Sequence, residues 1–147
     1  MALAETLRES LRYASHLFQQ KNVELVWRVE DETARVVGDP ELLRQVFLNL
    51  AMNGAQAMEN GGQLEVRVAA TDGAATVEFL DQGSGIDPDL LPKIFDPFIT
   101  TRRKGTGLGL TIVHNIVTAH GGSVEIANRQ DRQGARAAVE IPLAEAG

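Results

Sequence analysis

Residues 62–86 read GQLEVRVAATDGAATVEFLDQGSGI. Leu64, Val66 and Val68 alternate with polar neighbours, the two-residue period of a half-buried strand. Asp72-Gly73 is a hairpin turn signal, since both residues tolerate the left-handed backbone that a two-residue turn requires. A second strand over Thr76–Leu80 runs straight into Asp81-Gln82-Gly83-Ser84-Gly85. The hairpin predicts antiparallel sheet, and the glycines at its exit predict a backbone that turns sharply or approaches something closely.

On the N-terminal side, Asp39-Pro40 reads as an N-cap with proline at the first helical position. The helix it opens runs to about Glu59 and stops at Asn60-Gly61-Gly62. Leu42, Val46, Leu50, Ala57 and Met58 form its expected apolar side. Before it, Val23, Leu25, Trp27 and Val29 predict a strand. Leu3, Leu7, Leu11, Ala14 and Phe18 predict one helix stripe over residues 3–18. On the C-terminal side a short helix is expected from Asp87-Pro88 through Lys93, then a loop from about Asp96 to Thr106. A helix over Leu108–Ala119 ends at His120-Gly121-Gly122, and strands follow over Ser123–Ala127 and Ala135–Ile141. The order α, β, α, ββ, α, ββ predicts a two-layer α/β sandwich. Its sheet is mixed but mostly antiparallel, with helices covering one face.

At 147 residues the chain predicts a single domain. A net charge of −6 argues against a general nucleic-acid binder, and so does an aromatic content of 5%, which leaves no base-stacking platform. The absence of cysteine excludes disulfides, thiolate metal sites and cysteine nucleophiles, and is compatible with a cytoplasmic location. No apolar run is long enough to span a membrane, and Glu5, Arg8, Glu9 and Arg12 break the N-terminal stretch that a secretory signal would need. Gly-x-x-x-x-Gly-Lys-Ser/Thr, Gly-x-Gly-x-x-Gly, His-Glu-x-x-His and Gly-x-Ser-x-Gly are all missing. His114 and His120 are separated by about 240° of helix and cannot share a metal on one face, so both read as structural.

Three features remain that carry chemistry. Asp81 opens the first glycine cluster at a strand end. Gly105-Thr106-Gly107-Leu108-Gly109-Leu110 opens a helix, where free backbone N–H groups and the positive dipole end favour an anion. Arg102-Arg103-Lys104 just before it adds charge that could meet phosphates, although a solvated loop reads the same. Asn49 and Asn53 share a helix face, with Gln45 and Gln56 extending it. Their amide oxygens suit Mg²⁺, and two asparagines making surface hydrogen bonds would look alike.

Taken in order, these segments resemble the catalytic, ATP-binding domain of bacterial sensor histidine kinases. That domain has the Bergerat-type ATPase fold shared with gyrase, the ninety-kilodalton heat-shock chaperone and the mismatch-repair ATPase. Gln45–Met58 resembles the N box, Asp81–Ile86 the G1 box, Ile94–Thr101 the F box and Gly105–Leu110 the G2 box. The tail Ala57-Met58-Glu59-Asn60-Gly61-Gly62 is most similar to the nitrogen-regulation type. The likeness spans Leu3 to Pro142 and implies a single catalytic domain over residues 1–147, with ATP and Mg²⁺ as cofactors.

The resemblance also implies roles. Asp81 accepts the adenine amine, and Gly83, Gly85 and Ile86 pass close to the base. Asn53 ligates Mg²⁺, and Asn49 hydrogen-bonds the phosphate region or orients attacking groups. Residues from about Asp96 to Thr106 form the ATP lid, its start anchored by Phe95 and Phe98, for which core packing without ligand contact is an equal reading. Arg103 or Lys104 meets phosphate, and Gly105, Thr106, Gly107, Leu108 and Gly109 cradle it. Related hydrolases carry a glutamate where Asn49 stands. An amide is no general base, so transfer to a protein nucleophile is expected over hydrolysis.

The family's phosphoacceptor segment, a His-Glu stretch followed by Arg-Asn-Pro, is not in the chain. His16, followed by Leu17-Phe18-Gln19, is not assigned that role. The expectation is a piece of a larger kinase, acting on a histidine-bearing dimerisation domain and, indirectly, a response regulator. Ala135 stands where relatives often have threonine, and Gly54 replaces the commoner alanine at about 1 kcal/mol of helix propensity. Two alternatives share the fold: a nucleotide-sensing module without transfer, and an anti-sigma-factor-like serine kinase.

Overall fold

The computed structural model describes residues 1–96 and 109–144. Helices α1 (Leu3–Arg12) and α2 (Ser15–Gln20) precede β1 (Val23–Val29), α3 (Pro40–Ala57), β2 (Gly62–Thr71) and β3 (Ala74–Leu80). A 3₁₀ turn at Leu91–Lys93, α4 (Gly109–Ala119), β4 (Ser123–Asn128) and β5 (Ala135–Pro142) follow. The helix expected from Asp87 through Lys93 is thus reduced to that single turn.

The five strands form one sheet in the order β1-β2-β3-β5-β4. β1 and β2 are parallel because the connection between them carries α3 across one face, and the remaining pairs are antiparallel. The β2–β3 turn has positive φ at both Asp72 (54°) and Gly73 (80°), the geometry that the dipeptide predicts. Register aligns the apolar positions into rows across all five strands. Trp27, Val66, Phe79, Ala137 and Ile126 make one row; Val29, Val68, Val77, Val139 and Val124 make another. The opposite face carries Arg28 and Arg67 on Glu65, and Arg136 on Glu78 and Glu125. One face is therefore core and the other is a charged outer surface, as a two-layer sandwich requires.

The helices cover the apolar rows. The single stripe expected over residues 3–18 is broken into two helices. Tyr13 and Ala14 donate to Ser10 and Leu11 through tightened three-residue bonds. Leu3, Leu7, Leu11, Ala14 and Phe18 are nonetheless all buried. The break redirects the stripe, since α1 packs on α3 whereas α2 packs on β1.

At the start of α3, Asp39 Oδ1 accepts from the N–H groups of Glu41 (2.9 Å) and Leu42 (3.4 Å). Its buried face is Leu43, Val46, Phe47, Leu50, Ala51, Gly54 and Ala55. Leu42, expected on the apolar side, is 40% exposed, because the buried stripe follows Leu43. α4 ends as Gly121 turns with φ 77°, and the Gly122 N–H caps Val117 O at 3.0 Å. His120 is structural: Nδ1 lies 2.8 Å from Ile116 O, and Nε2 accepts from the Asp39 N–H at 3.1 Å. That ring ties the end of α4 to the start of α3.

Candidate functional site

β3 delivers Asp81 to the end of the sheet beside β5. The two chains are joined there by backbone, with the Asp81 N–H donating to Ala135 O at 3.0 Å. The residue is only 6% exposed. Its Oδ1 accepts from the N–H groups of Gly83 (2.9 Å) and Ala135 (3.0 Å). Oδ2 has no hydrogen-bond partner among the described residues, so one oxygen is fixed and the other is left to accept. Burial pushes the carboxyl above its ordinary range, opposed by the two amides and the nearby Arg129 charge. Because the Ala135 link is made by backbone, the missing threonine hydroxyl is not needed for it.

α3 passes directly beneath this carboxylate. A Cβ on Gly54 would lie 2.9 Å from Leu64 Cδ1 and 3.5 Å from Asp81 Cβ. The glycine that costs helix propensity thus admits a close approach between α3, β2 and the site. At Gly83 a Cβ would lie 2.6 Å from Ala57 O, so this glycine is required by the end of α3. Gly85 has φ 85° and faces Asn128, and Ile86 follows it.

Two residues that hold this loop were not singled out in the sequence. The Asn128 side chain pairs with both backbone groups of Ile86, accepting from its N–H at 2.7 Å and donating to its carbonyl at 2.8 Å. Arg129 Nη1 donates to the Asp81 carbonyl at 3.0 Å, while Nε and Nη2 grip Asp131. The only sequence signal is an Asn-Arg pair at a strand end, just before the return strand.

Asn49 and Asn53 lie half-buried on α3. Asn49 Nδ2 donates back to Gln45 O at 2.9 Å, and its Oδ1 would lie 3.5 Å from a Cβ on Gly109. The first residue of α4 therefore sits against Asn49. Asn53 has no side-chain hydrogen bond among the described residues, and its neighbour Gly54 is the residue beneath Asp81. Thr111 Oγ1 donates to Phe95 O at 2.8 Å, and the Phe95 ring lies 5.3 Å from that of His114. Along α3 the structure sets Asn49 against Gly109, Gly54 (next to Asn53) against Asp81, and Ala57 against Gly83, with Gly85 and Ile86 following in the same loop. Phe98, Arg102, Arg103, Lys104, Gly105, Thr106, Gly107 and Leu108 lie outside the described residues.

A family model described as histidine kinase-, DNA gyrase B-, and HSP90-like ATPase matches residues 38–145. The chain belongs to that family. Among curated relatives of this ATPase-family domain is the sensor histidine kinase ZraS of Escherichia coli O157:H7. It is 35% identical over 137 residues, which are 93% of this chain and 30% of ZraS. The chain thus spans about a third of that relative's length. The catalytic domain of histidine kinase ThkA, in a nucleotide-free form, superposes with a TM-score of 0.86 at 31% identity, covering 97% of this chain and 93% of that one. Full-length ShkA in complex with AMPPNP gives a TM-score of 0.84 at 33% identity, covering 97% of this chain and 30% of ShkA. ThkA also matches in its complex with the response regulator protein TrrA, at 28% identity and a TM-score of 0.85 over 98% of this chain and 41% of that one. The domain has the fold of histidine-kinase catalytic domains.

Proposed function

We propose that this chain is the catalytic, ATP-binding domain of a sensor histidine kinase, and that it transfers the γ-phosphate of ATP to a histidine on a separate dimerisation domain. The observation that carries the proposal is the Asp81 carboxylate: buried, with one oxygen held by two backbone amides and the other without a partner among the described residues. An ionised carboxylate only accepts, so a site built this way selects a donor such as the adenine amine. Gly83, Gly85 and Ile86 wall the base. Gly109, with Arg103, Lys104 and residues 105–108, serves the phosphates.

Mg²⁺ fits the residues present. Asn53 offers a neutral oxygen, and among the described residues no group of three or more acidic or histidine side chains forms a metal cage. An ion that keeps waters and phosphate oxygens as ligands suits one such contact. When bound it neutralises charge on the phosphates. Asn49, an amide bonded back to Gln45, cannot activate water, which favours transfer over hydrolysis.

The nitrogen-regulation-like subtype belongs to the same proposal and rests on the Ala57–Gly62 tail. So does a response regulator as an indirect partner; ThkA is seen in complex with one, TrrA. Among the described residues no helix is long and apolar enough to cross a membrane, and we place the domain in the cytoplasm.

The test is calorimetric titration with a non-hydrolysable ATP analogue, with Mg²⁺ and with EDTA, followed by phosphate transfer to a supplied dimerisation domain. Mg-dependent binding, its loss in Asp81→Asn, and acid-labile incorporation are the expected results. Binding without transfer to any acceptor would replace the kinase with a nucleotide-sensing module. Acid-stable phosphate on a partner serine would point to the serine-kinase alternative.

A further inference from the structure

The end of β4 holds the loop after β3 more closely than strand pairing requires. β4 pairs with β5 and not with β3, and yet its last residue, Asn128, and the next, Arg129, reach across to the segment after β3. Asn128 engages both backbone groups of Ile86 with a planar amide, as a neighbouring peptide would. Gly85, with φ 85°, leaves room for it: a Cβ there would lie 2.8 Å from Asn128 Oδ1. Arg129, its side chain 8% exposed, grips the Asp81 carbonyl and is itself held by Asp131. The Arg129 N–H also donates to Gly134 O at 2.8 Å, and a Cβ on Gly134 would collide with the Asp81 carbonyl oxygen. The Asp81 peptide and the Gly85–Ile86 peptide are thus set from one strand end.

We propose that Asn128 is a positioning residue for base recognition, with Arg129 as its companion: the pair fixes the span from Asp81 to Ile86 so that the free Asp81 oxygen meets the base at one place. The inference rests on the ATP-binding reading above. Asn128 touches neither base nor phosphate in this scheme and acts through the backbone of Ile86. Its replacement loosens one wall of the base pocket and leaves α3 and the start of α4 unchanged. The cost falls on the base and spares the phosphates, which separates positioning from general structural support.

The experiment titrates the chain and its Asn128→Ala variant with Mg-ATP, with Mg-ITP (whose base has a keto group in place of the amine) and with inorganic tripolyphosphate. We expect Asn128→Ala to lose about tenfold in ATP affinity, the scale of one misplaced hydrogen bond. The preference for ATP over ITP falls by the same factor, and tripolyphosphate affinity stays within about twofold. Asn128→Ser, too short to span both groups of Ile86, is measured alongside and shows the same pattern, so the test does not hang on one variant's folding. Equal losses for all three ligands, or unchanged ATP affinity in both variants, would overturn the positioning role while leaving the nucleotide site standing. An unmodified chain that binds no ATP, or does not prefer it to ITP, overturns the base-reading itself and this inference with it.

Discussion

In the proposed site Asp81 would concentrate the chemistry in one carboxylate, and its burial has a cost. The buried charge is only partly compensated by two amides and Arg129, and the carboxyl is held above its ordinary value of 3.8. A raised carboxyl means that folding takes up a proton between that ordinary value and the higher folded-state value. The group therefore opposes folding when ionised at neutral pH, and that cost fades as the pH falls through the folded-state value. Asp81→Asn keeps an oxygen for the Gly83 and Ala135 amides and removes the charge. Without nucleotide, its thermal midpoint at neutral pH should equal or exceed that of the parent, with the advantage shrinking toward pH 4, while nucleotide binding is lost. Melting curves across that pH range test this. A midpoint several degrees lower at neutral pH would mean that the ionised carboxylate stabilises the fold. Asp81 is legible in sequence because a strand and two nearby glycines frame it. Asn128 and Arg129 are not, because their partners lie 42 and 48 positions away and no local pattern marks them.

Among the elements, α3 shows where periodicity stops being informative. Leu42 and Leu43 are adjacent and equally apolar, and a stripe written at four-residue intervals from Leu42 drifts off a helix of 3.6 residues per turn. The packing resolves it: Leu43 is fully buried and Leu42 is 40% exposed. Leu43→Ala should cost about 2–5 kcal/mol as a core truncation. Leu42→Ala should stay within about 0.5 kcal/mol. Urea unfolding of the two variants decides it, and comparable losses would place Leu42 in the core. The α1–α2 break was hidden for a related reason. An unbroken stripe looks the same whether one straight helix or two angled ones present it, and only the change of packing partner from α3 to β1 separates them. Gly54 was legible as a helix defect, but its purpose was not. That needs β2 and Asp81, which pack against α3 in three dimensions.

Over the whole molecule, the site depends on strand order. The sequence supports two hairpins and a layer of helices. It does not say that β5 lies between β3 and β4, and that insertion is what sets Ala135 against Asp81 and brings Asn128 to Ile86. The antiparallel approach of α4 to α3, tied at one end by His120 and meeting Asn49 at the other, then places Gly109 on the same side. The proposed base end of the site is therefore carried by the sheet and its proposed phosphate end by two helices. These parts are separate in the chain, so a ligand spanning both should protect both, whereas a ligand carrying only the base should protect one. Hydrogen exchange distinguishes the cases. Adenosine at saturation should slow exchange at Gly83, Ile86 and Ala135 and leave the start of α4 unchanged. A Mg-bound non-hydrolysable ATP analogue should slow both regions, and tripolyphosphate with Mg²⁺ should act only on Gly109 to Ile112. If adenosine protected α4 as strongly as the full nucleotide does, the two ends would be one rigid unit responding together, and the division between a base-reading sheet edge and a phosphate-reading helix start would have to be given up.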